Sequence, residues 1–297
     1  MKLLFDLRDV DGRLIAAAGR ELNPPLLREV TEKGKILQRK VISLNQPFLL
    51  KDFKRVMDEE VYADIFHHVS MRRRLLRMVR KSKLQSSVFK EIVKLRKSSY
   101  YTYRHFLLVG ILSAKISMEL TGYRYNPGKA LIVGLIHDLG KTRLPKSLLN
   151  KTTALTSNEY RLLHSYPATS LILLKYYLGK AGGEACRVAY DHHEKMDGSG
   201  YPRGIKSMSQ YTKLIAILDI FDALIADRPY RKRSFTVRGA VDKLLQDMRG
   251  GKLPKYPILL LVSYLRRDKP PYRRMKVSLV PRAPEPEGNL YGRVVGS

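Results

Sequence analysis

Seven histidines lie in the 297-residue chain, and five of them, His105, His137, His164, His192 and His193, fall within residues 105–193. Two of the five are adjacent, and His137 is followed directly by Asp138. His67 and His68 sit apart in a polar, aromatic stretch and read as solvated side chains. A lone histidine on an apolar helix is usually a hydrogen-bonded core residue. Five in one region, with a carboxylate beside one of them, point instead to metal ligation. Imidazole nitrogens and carboxylate oxygens suit Fe, Mn, Zn or Ni, and two ions where one carboxylate bridges. The single cysteine, Cys186, excludes a thiolate-based zinc site and an intramolecular disulfide framework. Asp138 ends the apolar run from Ala130 to Ile136. A carboxylate at the end of so apolar a segment needs a partner, and a metal ion is a strong one.

The elements that must position these groups read as helices. Residues 106–120 form a nearly all-apolar segment that stops before Thr121-Gly122, and 130–137 is apolar on most sides, which marks a buried helix. Thr156-Ser157-Asn158-Glu159 is a capping box that opens another helix. Residues 187–193 close a further one, stopped by Gly198 and Gly200, and 213–226 is a buried helix halted at Arg228-Pro229. Few strand signals interrupt, so an α-helical bundle follows. Before it, an Asp11-Gly12 turn between 3–10 and 13–18 predicts a hairpin, and Asn23-Pro24-Pro25 starts a short helix.

Charge divides the chain differently. There are 56 basic and 27 acidic residues, a net charge of +29. Residues 101–230 carry only +7 of it, against +11 each for 1–100 and 231–297. Within 71–97 the only acid is Glu91, and apolar Met71, Leu75, Met78, Val79, Val88, Ile92 and Leu95 recur at helical spacing. The organisation read from this is a small mixed N-terminal module at 1–69 with a regulatory role, a basic linker helix at 70–99, the helical domain at 100–265, and a basic, Pro-containing extended tail at 266–297. A charge excess favours anionic partners: an acidic protein surface docking on the flanks, with nucleic acid or an acidic membrane face less supported. No zinc finger or RNA-binding fingerprint is present. No apolar run reaches the roughly 18 residues of a membrane span, and acid at Asp6 argues against a signal peptide. The cytoplasm is the expected compartment.

Three motifs resemble the HD-GYP family of metal-dependent phosphohydrolases, over about residues 100–235. His137-Asp138-Leu139-Gly140-Lys141 is similar to its H-D-x-G-K motif. His192-His193-Glu194-Lys195-Met196-Asp197-Gly198-Ser199-Gly200-Tyr201-Pro202 is similar to H-H-E-x-x-D-G-x-G-Y-P. Asp219-Ile220-Phe221-Asp222-Ala223-Leu224, followed by Arg228-Pro229-Tyr230-Arg231, resembles the closing motif. The resemblance implies a mainly α fold, an all-helical HD-type bundle preceded by a small mixed α/β module. It also implies hydrolysis of the bacterial second messenger cyclic di-GMP, with His105, His137, Asp138, His164, His192, His193 and Asp219 as metal ligands and Asp138 as the bridge. Asp222 is then expected to bond a loop or a ligand histidine, and Glu194 to support the site from behind.

The chemistry implied is attack on phosphorus by a hydroxide activated at a dinuclear centre, with two divalent ions, Fe or Mn before Zn or Ni. Lys141, one turn past Asp138, is placed to meet non-bridging phosphate oxygens; a helix-end lysine is the plainer account. Gly198, Gly200 and Pro202 bracket Tyr201, which would stack on guanine or bond phosphate, or only pin its loop. Gly200, Tyr201, Pro202, Arg228 and Arg231 are candidate substrate contacts, with a solvated helix end as the alternative for both arginines. Departures from the family pattern also matter. Tyr101 stands where some members have a glutamate contributing to a third metal, so two metals are expected, with linear pGpG as the product and further hydrolysis to GMP as the alternative. Ser165 follows His164 where the family usually has Pro, and Met196 replaces a common Trp. The residues leave open a non-catalytic module that binds a cyclic dinucleotide or a partner protein.

Overall fold

The structure, a computed structural model, describes residues 1–37, 40–120, 125–227, 233–278, 280–284 and 286. Its fold is mainly α, as the helical periodicity predicts: a bundle of helices, with two small two-stranded sheets near the N-terminus. The hairpin forms, but with short strands, Leu7–Arg8 pairing Leu14–Ala16. Asp9 tightens its turn by accepting from the backbone N–H groups of Asp11 and Arg13, both at 2.9 Å. Asn23 caps the helix Pro24–Lys33 by accepting from Leu26 N at 3.0 Å.

The 70–99 segment is not one linker helix. Two helices, Val69–Lys81 and Ser86–Ser98, flank a strand, Lys83–Gln85, that pairs antiparallel with Val41–Ser43. Ser82 takes an extended conformation (φ −79°, ψ 149°) and breaks the helix. The apolar stripe read as continuous is two stripes, 71–79 and 88–95, and Leu84 between them is buried as a strand residue. The segment is thus stitched into the N-terminal part, and one buried apolar cluster runs from Leu3 to Tyr264. Beyond Tyr264 the described residues form no helix or strand. Asp242 nonetheless holds the chain there, accepting from Arg282 N at 2.8 Å and Ala283 N at 3.1 Å.

The bundle is built on the antiparallel pair Tyr100–Glu119 and Pro127–Ile136. These helices touch through glycine: a Cβ on Gly134 would lie 2.8 Å from Ser113 Oγ and 3.0 Å from Gly110 Cα. That close approach sets His105, near the start of one helix, beside His137, at the end of the other. Ser157–His164 opens with the expected capping box: Thr156 Oγ1 accepts from Glu159 N at 3.3 Å, and the Glu159 carboxylate accepts from Thr156 N at 2.8 Å. Tyr166–Leu178, Gly183–Asp191 and Gln210–Ile225 follow, with Val237–Arg249 and Lys255–Tyr264 closing the bundle.

Candidate active site and metal centre

Four helices converge on one buried polar cluster. His105 lies in Tyr100–Glu119, His137 and Asp138 follow Pro127–Ile136, His192 and His193 follow Gly183–Asp191, and Asp219 lies in Gln210–Ile225. The donor atoms of His105, His137, Asp138 and Asp219 lie within 4.8 Å of one another, and so do those of Asp138, His192 and His193. Asp138 belongs to both groups. One oxygen, Oδ2, stands 3.5 Å from His105 Nε2 and 3.4 Å from His137 Nε2, and the other, Oδ1, stands 3.2 Å from His192 Nε2. Asp219 Oδ1 is 3.2 Å from His105 Nε2, and Asp219 Oδ2 is 4.0 Å from His193 Nδ1.

The far side of each ring fixes its tautomer. His137 Nδ1 lies 2.7 Å from Gly134 O and His192 Nδ1 3.1 Å from Val188 O. A carbonyl only accepts, so both Nδ1 atoms carry the proton and both Nε2 lone pairs face the cluster. His105 Nδ1 lies 2.5 Å from Asp222 Oδ2, which does the same for that ring. His105 Nε2, His137 Nε2 and Asp138 Oδ1 are buried without a hydrogen-bond partner. Buried polar atoms are nearly always satisfied; the two nitrogens face Asp138 Oδ2 and the bare Oδ1 faces His192, an arrangement that a divalent cation on each side would satisfy. Imidazole and carboxylate donors without a thiol fit such an ion.

The electrostatics agree. Burial disfavours a charged imidazole, yet the carboxylates of Asp138, Asp219 and Asp222 around it push His105 up to about 10. Burial likewise works against the Asp138 charge, but His137 and Lys141 hold that carboxyl well below the usual carboxylate range. Asp219, opposed by burial, is held down by His105 and His137. The cluster therefore keeps its carboxylates ionised and draws cationic charge inward.

The remaining expected residues surround this core. Lys141 forms an ion pair with Asp138, with Nζ 4.6 Å from the Tyr166 ring centroid. His164 is not within either ligand group; its ring lies 4.5 Å from that of Tyr201, which stacks on His193 at 4.6 Å and 14°. Gly200 makes that stacking available, because a Cβ there would lie 2.5 Å from the Glu194 carbonyl carbon, inside any tolerable contact. Glu194 is fully buried and pins the loop, accepting from Arg203 N at 2.6 Å and Ile205 N at 3.1 Å. Pro202 is half-buried in that loop. Asp222 sits behind His105, outside both ligand groups. Arg228 and Arg231 lie outside the described residues. The open side of the cluster is where His193 and Lys141 retain 20% and 17% side-chain exposure; Asp138 has none.

Sequence reasoning missed four residues. Tyr166, buried, directs its hydroxyl at His193 Nε2 and at His192 Nε2, 3.2 Å away. Arg104, Tyr62 and Glu59 lie behind Asp222. Arg104 carried a signal, since an arginine entering an apolar helix must find a carboxylate. Tyr62 carried none, being 160 residues from its partner Asp222.

Comparison with known proteins bears on the same residues. Over 136 residues the chain is 37% identical to a 3'3'-cGAMP-specific phosphodiesterase 1 of Vibrio cholerae, covering 45% of this chain and 31% of that protein. It is 33% identical over 143 residues to the cyclic di-GMP phosphodiesterase PA4108 of Pseudomonas aeruginosa, covering 48% and 34%. It is 31% identical over 132 residues to a cyclic di-GMP phosphodiesterase of Thermotoga maritima, covering 44% and 36%. The matched part thus spans about a third of each of these relatives. Among solved structures, Bd1817, a HDG"Y"P protein from Bdellovibrio bacteriovorus, aligns with a TM-score of 0.44 at 17% identity, covering 87% of this chain and 93% of that one. The HD domain model matches residues 88–253 and so encloses every ligand group described above. With more than half its length in that match, and with the HD-GYP motifs inside it, the chain belongs to the HD domain family.

Proposed function

We propose that the chain hydrolyses cyclic di-GMP to linear pGpG at this centre. The observation that carries the reading is the sharing of Asp138 between two ligand groups whose unpartnered nitrogens and oxygen converge. His105, His137, Asp138 and Asp219 would hold one divalent ion, and Asp138, His192 and His193 the other; His164, outside both groups, is a further candidate on the second side. Fe or Mn suits these donors, and two ions suit a chain with Tyr101 in place of the family's extra glutamate. Bound there, the ions supply Lewis acidity and a nucleophile at neutral pH. The chain's own residues do the rest. Asp222, Gly134 O and Val188 O hold the imidazole rings. Lys141, on the open side, would meet non-bridging phosphate oxygens. Tyr201 offers its ring to a guanine beside His193, and Arg228 and Arg231 are further contacts for guanine or phosphate. Acting on an intracellular messenger, the chain works in the cytoplasm; among the described residues, no helix is long and apolar enough to cross a membrane.

Relatives named for two cyclic dinucleotides favour testing both. Protein loaded anaerobically with Fe(II) or Mn(II) is given cyclic di-GMP or 3'3'-cGAMP, and the products are separated by chromatography. Cyclic di-GMP converted to pGpG, and lost in His137→Ala and Asp138→Ala, is the expected result. Tight binding without turnover in the loaded protein refutes it in favour of a binding module. The basic flanks are a separate property. Arg73, Arg74, Arg77 and Arg80 are exposed, and none takes part in an ion pair among the described residues. They offer a face to an acidic protein surface.

A further inference from the structure

We infer that Tyr62 and Glu59, which precede the HD match at residues 88–253, are positioning residues for the metal centre, acting through Arg104 and Asp222 on His105. The inference rests on the metal-binding part of the reading above and not on the identity of the substrate.

Asp222 is fully buried, and its two oxygens face opposite ways. Oδ2 meets His105 Nδ1 at 2.5 Å. Oδ1 accepts from Tyr62 Oη at 2.5 Å and from Arg104 Nη1. Two donors on one oxygen fix the carboxylate plane, and that plane sets the angle at which the His105 ring presents Nε2 to the cluster. A carboxylate held only by the imidazole could turn about its own bond and take the ring with it. Arg104 directly precedes His105 in sequence but points elsewhere, because neighbouring residues on a helix do not share a face. It reaches Asp222 instead, while Glu59 grips it from the other side, Nε lying 3.0 Å and 3.1 Å from the two carboxylate oxygens. That grip has an electrostatic consequence. A guanidinium beside a dication site repels the ion, and the Glu59 charge cancels part of that field. The Tyr62 ring is completely buried, edge-on to Phe221 at 6.2 Å, with Arg104 Cζ 5.6 Å from its centroid, so the hydroxyl has one place to point.

The N-terminal part therefore supplies two of the groups that orient a ligand of the centre. Any movement of the turn Glu60–Tyr62 would be read as a change in metal affinity at the His105 group.

The test uses the full chain, stripped of metal, with Tyr62→Phe and Glu59→Gln. Tyr62→Phe keeps the ring and removes only the donor. Mn(II) binding is followed by electron paramagnetic resonance of the free ion. The His105 Nδ1 proton is followed by NMR after 15N-histidine labelling. The expected result is that one of two Mn(II) steps weakens by about tenfold or more, the other step is unchanged, and the Nδ1 proton resonance shifts. Glu59→Gln weakens the same step to a smaller degree. Its side chain is 29% exposed, so it changes without opening a core cavity and carries the test if Tyr62→Phe does not fold. Both steps and the proton resonance unchanged would overturn the inference, as would equal weakening of both steps. A wild-type chain that binds no Mn(II) overturns it together with the metal reading. A wild-type chain that binds two ions but leaves cyclic di-GMP intact overturns the proposed substrate alone, and the selective loss in Tyr62→Phe still stands as support.

Discussion

Asp138→Asn should weaken both metal ions, whereas Asp219→Asn should weaken one. The reason is geometric: Asp138 offers Oδ2 to the His105 and His137 side and Oδ1 to the His192 side, while Asp219 belongs only to the first ligand group. The carboxamide keeps the side-chain volume and removes the charge. A four-ligand structural Zn(II) site is worth about 10–16 kcal/mol near neutral pH, so about 3 kcal/mol per ligand is an upper figure for the more weakly held Mn(II). At about 1.4 kcal/mol per decade, losing one ligand from each group raises each dissociation constant by up to about 100-fold. The same change at Asp219 raises one constant by up to about 100-fold and leaves the other near the wild-type value. Removing Asp138 also strips Lys141 of its ion-pair partner, but that lysine keeps 17% exposure and can turn to solvent. Melting of the metal-free variants serves as the control for folding. The assay is a Mn(II) titration of metal-free protein with free ion measured directly, giving the number of steps and their affinities. An Asp138→Asn protein that still binds one ion at the wild-type affinity would falsify the shared-carboxylate geometry. So would an Asp219→Asn protein that loses both ions.

Gly200→Ala should push the loop off the 193–195 turn and unstack Tyr201 from His193, lowering both the melting temperature, since the new Cβ meets backbone, and kcat/KM about tenfold or more; unchanged kinetics would show that the stacking has no part in turnover. Lys141→Met should cost about 1.5–3 kcal/mol in kcat/KM, the worth of a hydrogen bond to a charged group, with both metal steps retained. Metal affinity should rise with pH by about one decade per unit below pH 10, because an ion must displace the proton that His105 holds up to about 10; calorimetry in buffers of different ionisation enthalpy counts that proton. The same shift has the opposite sign for metal-free stability. His105 lies above its ordinary value of 6.5, so its contribution is complete below pH 6.5 and lost as pH rises through about 10. Denaturant titrations across that range should show metal-free stability falling and metal-loaded stability holding. Replacing Arg73, Arg74, Arg77 and Arg80 with Gln should leave turnover in dilute salt close to wild type, since their exposed charge lies outside the ligand groups; a large fall in KM performance would place the basic flank in substrate capture.

The helical class and four of the five clustered histidines were legible along the chain from local spacing, while the roles of Asp219 and Asp222 came from the motif resemblance. Apolar residues at helical intervals bury one face wherever the helix ends up, and Asp219 and Asp222, three residues apart, must share that face. Short motifs keep their ligands together because His137-Asp138 and His192-His193 are covalent neighbours. Spacing could not show that the stripe between 71 and 97 breaks at Ser82, because only the pairing of Lys83–Gln85 with Val41–Ser43 makes an extended segment more stable there than a continued helix. Nor could it assign Asp138 one oxygen for each ligand group, since that depends on how Pro127–Ile136 crosses its neighbours. Tyr166 above His192 and His193, and Tyr62, Glu59 and Arg104 behind Asp222, are contacts between segments far apart in the chain. The amino-acid sequence determined which groups can bind a metal. Tertiary packing decided which atoms face it, because the orientation of an imidazole is set by whatever accepts its other proton.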